Sequence, residues 1–476
     1  MCKPQAYFML DAKTDFRPLS LLVGSAFFME QLDSTIIAPA VPQMAKALGV
    51  GPLSLDLSMT VYLLCSVIFI PLSGLLAGRM GTRSTLRLSL LVFVLSSAAC
   101  GIASNLAVLI AARAVQGFSG ALMVPVGRIA IVRTTPREML VPALAWMITP
   151  AMLGPLLGPP LGGVIATFAS WRWIFFLNIP IGLAGCMLAE RIVPQIIDDE
   201  KPSFDWREWT FLSLALAALV ALLELAHHTD VRWQLSAALA TLLGVSTGLY
   251  LFFARRSATP LLDFSLLRFE TFHTSFWAGS IVRIGYGAVP FLLPLMLQIG
   301  LGYSAIESGG VLLASGAIAL VTKTQTTGLL RRFGFRNLLI LNGILCSTAL
   351  VLCAAFRSDW GILLIALAVS AGGFSRSVQF NALAAIAYAD LPTQKVSAAT
   401  TLNTAAQQLA VLLGISLAVV IVGLSAHLGL RAKPDALDFS HAFVVVGLIA
   451  MASVPFCFRL SAHAGLKMSG HIARNG

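Results

Sequence analysis

The sequence predicts an all-α polytopic membrane protein of about fourteen transmembrane helices. Three observations predict it. Of 476 residues, 58% are hydrophobic and only 11% are charged, whereas a soluble domain carries about 25% charge. Mean hydropathy is +0.87, too high for the polar skins that about three soluble domains of this total length would need. Apolar runs long enough to cross a bilayer recur along the chain, with Lys and Arg in the short segments between them. A soluble multidomain enzyme, a disordered chain and a fibrous chain are thereby excluded.

Residues 1–17 read as a polar cytoplasmic N-terminus carrying Lys3, Lys13 and Arg17. The apolar run after them is about 22 residues and lacks a small-residue cleavage site, so it reads as a span rather than a signal. The runs centre near residues 29, 66, 95, 118, 154, 181, 218, 243, 284, 317, 347, 374, 412 and 450. An even count puts both termini on one side. Arg79, Arg83, Arg87, Arg133, Arg191, Arg255, Arg256, Arg331, Arg332, Arg336 and Arg459 fall on that side. The opposite side holds only Lys46, Arg172, Arg232, Arg357, Arg431 and Lys433. The positive-inside rule then places both termini in the cytoplasm and the chain in the cytoplasmic (inner) membrane. The net charge of +11 reports this orientation and not a nucleic-acid partner. The seven cysteines form no C-x-x-C pair and read as small packing residues.

An internal repeat is visible. Arg79-Met80-Gly81-Thr82-Arg83 follows the second run, and Arg332-Phe333-Gly334-Phe335-Arg336 follows the tenth. If the seventh and eighth helices are an insert, both R-x-G-x-R turns follow the second helix of a six-helix half. The expected domains are an N-terminus at 1–17, a half at 18–191, a central insert with two extra helices at 192–268, a second half at 269–461 and a cytoplasmic tail at 462–476. Two six-helix halves related by a parallel repeat are a secondary-transporter layout.

Local motifs sharpen this. The first helix carries Leu32-Asp33-Ser34-Thr35-Ile36 and then Pro42. The turn after the second helix reads Gly74-Leu75-Leu76-Ala77-Gly78-Arg79-Met80-Gly81-Thr82-Arg83. The fourth helix has Arg113-Ala114-Val115-Gln116-Gly117. The fifth has Gly154, Gly158-Pro159 and Gly162-Gly163. The sixth opens Trp171-Arg172-Trp173-Ile174-Phe175-Phe176-Leu177-Asn178-Ile179-Pro180-Ile181-Gly182. In this order, the chain resembles the fourteen-helix drug:proton antiporter branch of the major facilitator superfamily, the multidrug-resistance-type exporters. The resemblance runs nearly end to end. Three departures stand out: Gly78 replaces the Asp of the G-x-L-A-D-R-x-G-R loop, Ala145 replaces an upstream Gly of the fifth-helix signature, and Ala38-Pro39 stand where an Asn is usual. The resemblance implies that Asp33 and Arg113 line a central cavity and take part in proton coupling, with Gln116 beside them. It also implies a conformational role for Gly74, Arg79, Gly81 and Arg83, and for Gly154, Gly158, Pro159, Gly162 and Gly163.

The residues support this independently. Gly154, Gly158 and Gly162 are four apart, so they share a helix face where two backbones can approach closely. Pro155, Pro159 and Pro160 remove backbone donors and can bend the helix, which suits a seam between rocking halves. Glu30 and Asp33 are three apart on one face, and a charge at mid-bilayer costs about 2.5–3.5 kcal/mol, so the pair implies a polar cavity. Burial and mutual repulsion stabilise a neutral carboxyl, which makes at least one of them a proton carrier. Arg283 and Arg376 fall mid-span, where they cannot snorkel, whereas Arg128 and Lys323 can. With Arg113 they outnumber the acids around them, so the cavity reads as net positive and suited to a carboxylate. Trp146 and Tyr286 offer stacking surfaces, and Asn403 and Gln407 offer hydrogen bonds.

Other classes lack a site. There is no G-x-x-x-x-G-K-[ST] loop, no H-E-x-x-H and no close His/Cys cluster, so no cofactor or metal is expected and the chain is not read as an enzyme. The expected function is proton-coupled export of small organic molecules or drugs by alternating access. The alternative is export of a specific organic anion, a citrate-like acid or a siderophore. A distant alternative is a non-transporting membrane scaffold. Expected partners are the lipid bilayer, a small-molecule substrate and protons, with no nucleic acid. No periplasmic adaptor is readable.

Overall fold

The computed structural model describes residues 15–136, 139–198, 204–226, 233–257, 260–392, 395–431, 434–461 and 464–465, the side chains of Val141, Lys323, Thr324 and Ser397 excepted. Most of the N-terminal segment 1–17, much of the tail and the side chain of Lys323 therefore lie outside the description. Fourteen helices are long and apolar enough to cross a membrane. They are α1 Arg17–Leu48, α2 Pro52–Phe69, α3 Thr82–Gly101, α4 Leu106–Thr134, α5 Pro142–Phe168, α6 Trp173–Ile192, α7 Trp206–Ala226 and α8 Trp233–Ala254. There follow α9 Glu270–Gly300, then α10 and α11, which share the run Ala305–Cys353, α12 Ile362–Ile386, α13 Ala398–Leu428 and α14 Ala436–Phe458. Among the described residues there is no strand. Every expected span centre falls within one of these helices.

Polar caps mark the ends of apolar helices. Asn105 accepts the Val108 amide at the start of α4, and Ser304 with Glu307 forms a capping box at α10. The two R-x-G-x-R turns are the clearest sign of duplication. Gly81 ends the arm of α2, the helical continuation Leu72–Met80, at φ 87°, ψ 156°, and Gly334 separates α10 from α11 at φ 70°, ψ 170°. This backbone region is open almost only to glycine, so one strained turn is built twice.

Helices α1 to α6 pack with one another: α1 against α4, α5 and α6, and α4 against α2 and α3. Helices α9 to α14 do likewise, with α9 against α13 and α14, and α12 against α10 and α11. The halves meet where α5 lies on α10 and where α2 lies on α13. The inserted α7 packs against α2 and α13, and its Trp209 indole donates to Ile68 O at 2.8 Å. Helix α8 reaches the bundle chiefly through α7, and its buried side chains are Ser246 and Tyr250. The rest of α8 is mostly apolar and mostly exposed, as a lipid-facing helix requires.

Candidate functional site

The candidate site begins on α1. Its apolar phase turns Met29, Leu32 and Ile36 into the bundle, and Asp33 goes in with them, at 0% exposure. Asp33 accepts three hydrogen bonds. Its Oδ2 accepts Arg113 Nη1 of α4 at 2.5 Å. Its Oδ1 accepts Gln116 Nε2 at 3.0 Å and Asn178 Nδ2 of α6 at 2.8 Å. Arg113, 1% exposed, also donates to Ser58 O (3.2 Å) and to Gln116 Oε1 (2.7 Å). Its guanidinium lies over the Tyr62 ring, 4.3 Å from the centroid. Ser97 of α3 closes the network by accepting from both Gln116 (2.8 Å) and Asn178 (3.0 Å). A buried ion pair survives only when its remaining lone pairs and protons are met, and here four helices meet them. Gln116 thus belongs to the Asp33 network. The sequence reading quoted Asn178 without giving it a role, and it did not name Ser97 or Tyr62. The only signal was an Asn amid apolar residues at the start of α6.

Glu30, one turn earlier, behaves differently. Its Oε2 is buried and has no hydrogen-bond partner among the described residues.

A second cluster sits in the other half. Arg283 of α9 is 8% exposed, donates to Gly279 O at 3.1 Å and lies over the Phe380 ring at 4.5 Å. Arg376 of α12 lies 5.9 Å from the Tyr286 ring centroid, and Tyr286 meets Phe380 edge-on at 6.1 Å. The Tyr286 hydroxyl is held by Cys346 O at 2.8 Å. So Arg283, Arg376 and Tyr286 come together around Phe380, which the sequence reading did not name. Among the described residues, no carboxylate pairs with either arginine. Asn403 is buried and Gln407 half-buried on α13, four apart and so on one face.

Trp146, expected in the cavity, is 43% exposed, with Arg17 over its ring at 5.7 Å. Ala143 and Met147, four apart, take the buried face of that stretch. One expectation needs correction. The Gly154-Gly158-Gly162 face was expected between the halves, yet it lies on α1 within the first half. A Cβ on Gly158 would fall 2.2 Å from Thr35 Oγ1, and one on Gly162 2.0 Å from Ile36 O. Gly163 is the glycine of the seam: its Cβ would fall 2.5 Å from Ala305 O, and Pro159 O is as close to Gly309 of α10.

At the R-x-G-x-R turn after α2, Gly74 and Arg79 are exposed, while Gly81 is buried beneath a strap formed by residues 193–198. Thr82 donates through N to Ile196 O (3.1 Å) and through Oγ1 to Pro194 O (2.6 Å). Arg83 Nε donates to Val193 O (2.6 Å), and Asp198 N to Gly78 O (3.0 Å). Asp198 in turn pairs with Arg133 of α4 at 2.5 Å, and Glu190 pairs with Arg87.

Comparison with known proteins fits this architecture. The family model of the Major Facilitator Superfamily matches residues 23–415. The chain belongs to that superfamily and is an integral membrane transporter, not an enzyme. It is 31% identical over 439 residues to the putative multidrug resistance protein MdtD of Salmonella typhimurium, covering 91% of this chain and 93% of that one. It is 32% identical over 432 residues to MdtD of Escherichia fergusonii, covering 90% and 91%. Among solved structures it is similar in fold to a POT family transporter in complex with 5-aminolevulinic acid (TM-score 0.68, 14% identity, covering 92% and 95%). It is also similar to a D-xylose–proton symporter (TM-score 0.63, 15% identity, covering 93% and 99%).

Proposed function

We propose that this transporter exports small organic molecules in exchange for protons by alternating access, in the cytoplasmic membrane with both termini inside. The carrying observation is the buried Asp33–Arg113 pair with Glu30 one turn away. An ionisable set this deep in a span is costly unless it serves transport. The halves at 18–191 and 269–461 would rock about the α5–α10 and α2–α13 contacts, with the insert at 192–268 riding on α2 and α13. About 100 mV plus one pH unit supplies about 3.7 kcal/mol per proton. At one-to-one exchange that sustains roughly a 500-fold gradient of a neutral solute. The names of the MdtD relatives support a drug-like substrate. The test uses the full chain in vesicles with an imposed pH gradient, ethidium as cargo and an internal pH dye. Ethidium movement should draw down the gradient and stop with a proton–cation exchanging ionophore. Movement indifferent to the gradient would remove proton coupling.

A second reading is an organic-anion exporter. Arg283 favours it: a buried guanidinium with an aromatic neighbour and no described carboxylate lacks the partner that a carboxylate-bearing solute would supply. Arg283→Gln should then lower citrate transport relative to ethidium transport, each normalised to folded protein. An unchanged ratio would leave the general exporter alone.

A further inference from the structure

The two carboxylates of α1 share a face but not an environment. The guanidinium and amide donors near the pair serve Asp33: Arg113, Gln116 and Asn178 all give it hydrogen bonds. A proton on Asp33 would set an O–H against N–H donors and would leave Arg113 buried without its counter-ion. Glu30 has the opposite surroundings. Its Oε2 is buried and accepts nothing among the described residues, and the Tyr62 hydroxyl is buried and equally unpartnered. The two groups border one spot without a hydrogen bond between Tyr62 OH and Glu30 Oε2. A Cβ on Gly120 of α4 would lie 3.2 Å from the Tyr62 hydroxyl and 3.8 Å from Glu30 Oε1. The bare backbone of Gly120 therefore leaves a notch with the acid and the phenol on its rim.

The charged and titratable groups facing Glu30 are few. They are Asp33 on its own helix and Tyr62 on α2, with Arg113 of α4 behind the Tyr62 ring. Helix α5 has no ionisable side chain. On α6, Glu190 is engaged with Arg83 and Arg87 at the cytoplasmic end, Cys186 donates to Arg87 O there, and Arg191 is exposed. An ionised Glu30 has no cation or amide donor in this setting, only the neutral Tyr62 phenol, against the three donors of Asp33. A neutral Glu30 can pair with the same phenol as donor or acceptor, and it leaves no buried charge without a counter-ion.

Resting on the proton-coupled reading above, we propose that Glu30, partnered by the Tyr62 hydroxyl, carries the exchanged proton, and that Asp33 stays ionised as the anchor of Arg113. On the outer side a hydronium ion gives its proton to Glu30 Oε2 and leaves as water. On the inner side a water takes the proton back. One positive charge enters per cycle, and no other bond is made or broken.

The test reads the proton directly. Infrared difference spectra between acid and neutral pH are recorded on the full chain in lipid vesicles. Wild type should show a protonated-carboxyl C=O band that titrates. Glu30→Gln should lose it, Asp33→Asn should keep it, and Tyr62→Phe should keep it with a shifted midpoint. A band lost in Asp33→Asn and kept in Glu30→Gln would overturn the assignment, as would no titrating band at all. If Asp33→Asn does not fold, Glu30→Asp decides: it must retain a titrating band with a moved midpoint, and an unmoved band overturns the assignment. Ethidium exchange separates the two readings. Proton-driven efflux surviving in Glu30→Gln overturns the assignment and leaves the exporter standing. A Glu30 band in vesicles showing no pH-driven efflux supports the protonation site and removes the exporter reading instead.

Discussion

Asn178 and Arg113 show how much one side chain can hold. Asn178 links α6 to α1 and α3 by donating to both Asp33 and Ser97. Asn178→Ala would leave part of a buried carboxylate without a donor, a cost of about 1–3 kcal/mol. The purified variant should therefore unfold at lower temperature, and an unchanged melting point would show that Asp33 finds another donor. Arg113→Lys keeps the charge but not the planar fork. Arg113 reaches Asp33, Ser58 O and Gln116 while stacking on Tyr62, a set that an ammonium cannot reproduce. The Lys variant should fold and bind ethidium yet lose most proton-driven efflux. Wild-type efflux would reduce Arg113 to a generic counter-charge. Asp33, Arg113 and Gln116 were legible in the sequence because a charged or amide residue within a hydrophobic run is visible by itself. The partners Ser97, Asn178 and Tyr62 were not, because which helix face meets Asp33 is decided by packing.

At the scale of elements, the strap over the R-x-G-x-R turn answers the missing loop acid. Gly78 stands where the resemblance expects Asp, and Asp198 arrives beside it by donating its amide to Gly78 O while its carboxylate holds Arg133. The pair is partly exposed, so its loss should change stability by no more than about 1 kcal/mol. Its contribution is to join α4, the α2 arm and the end of α6 in one conformation. Asp198→Ala should lower efflux with little change in melting temperature, and adding Gly78→Asp should restore it by returning a carboxylate to the same corner. Failure of that rescue, with both variants folded, would make the strap a passive packing segment. The turn itself was legible, since R-x-G-x-R twice in register announces two like corners. The strap was not, because its acid lies beyond α6 and reaches the turn only through the tertiary fold. Helical phase has the same limit: Trp146 lies in a run apolar on all sides, so nothing in the sequence says which face of that run is inner. The helix-five glycines announced close approach correctly, but the partner backbone of Gly154, Gly158 and Gly162 is α1, and only Gly163 reaches α10.

The whole molecule adds direction. Span count and length were legible because hydropathy is a property of the chain in one dimension. Direction across the membrane depends on charge bias, and the same bias fixes which way cargo and protons are proposed to move. Both R-x-G-x-R corners and the strap lie on one face, and Arg172 lies on the other, donating to Ala103 O at 3.1 Å. Cysteine labelling tests the orientation in intact cells carrying a cysteine-free variant. Ser104, between α3 and α4, and Ser358, between α11 and α12, are exposed and belong to the arginine-poor face. Ser84 and Phe333, at the two glycine corners, are exposed on the arginine-rich face. Ser104→Cys and Ser358→Cys should react with a membrane-impermeant maleimide from outside. Ser84→Cys and Phe333→Cys should react only after the membrane is opened. Reversed labelling would place the strap and both corners outside. The strap would then face the outer solution, and the exporter reading would become one of uptake. Mixed labelling at the two corners would instead break the repeat, since Gly81 and Gly334 can be equivalent only if both face the same side.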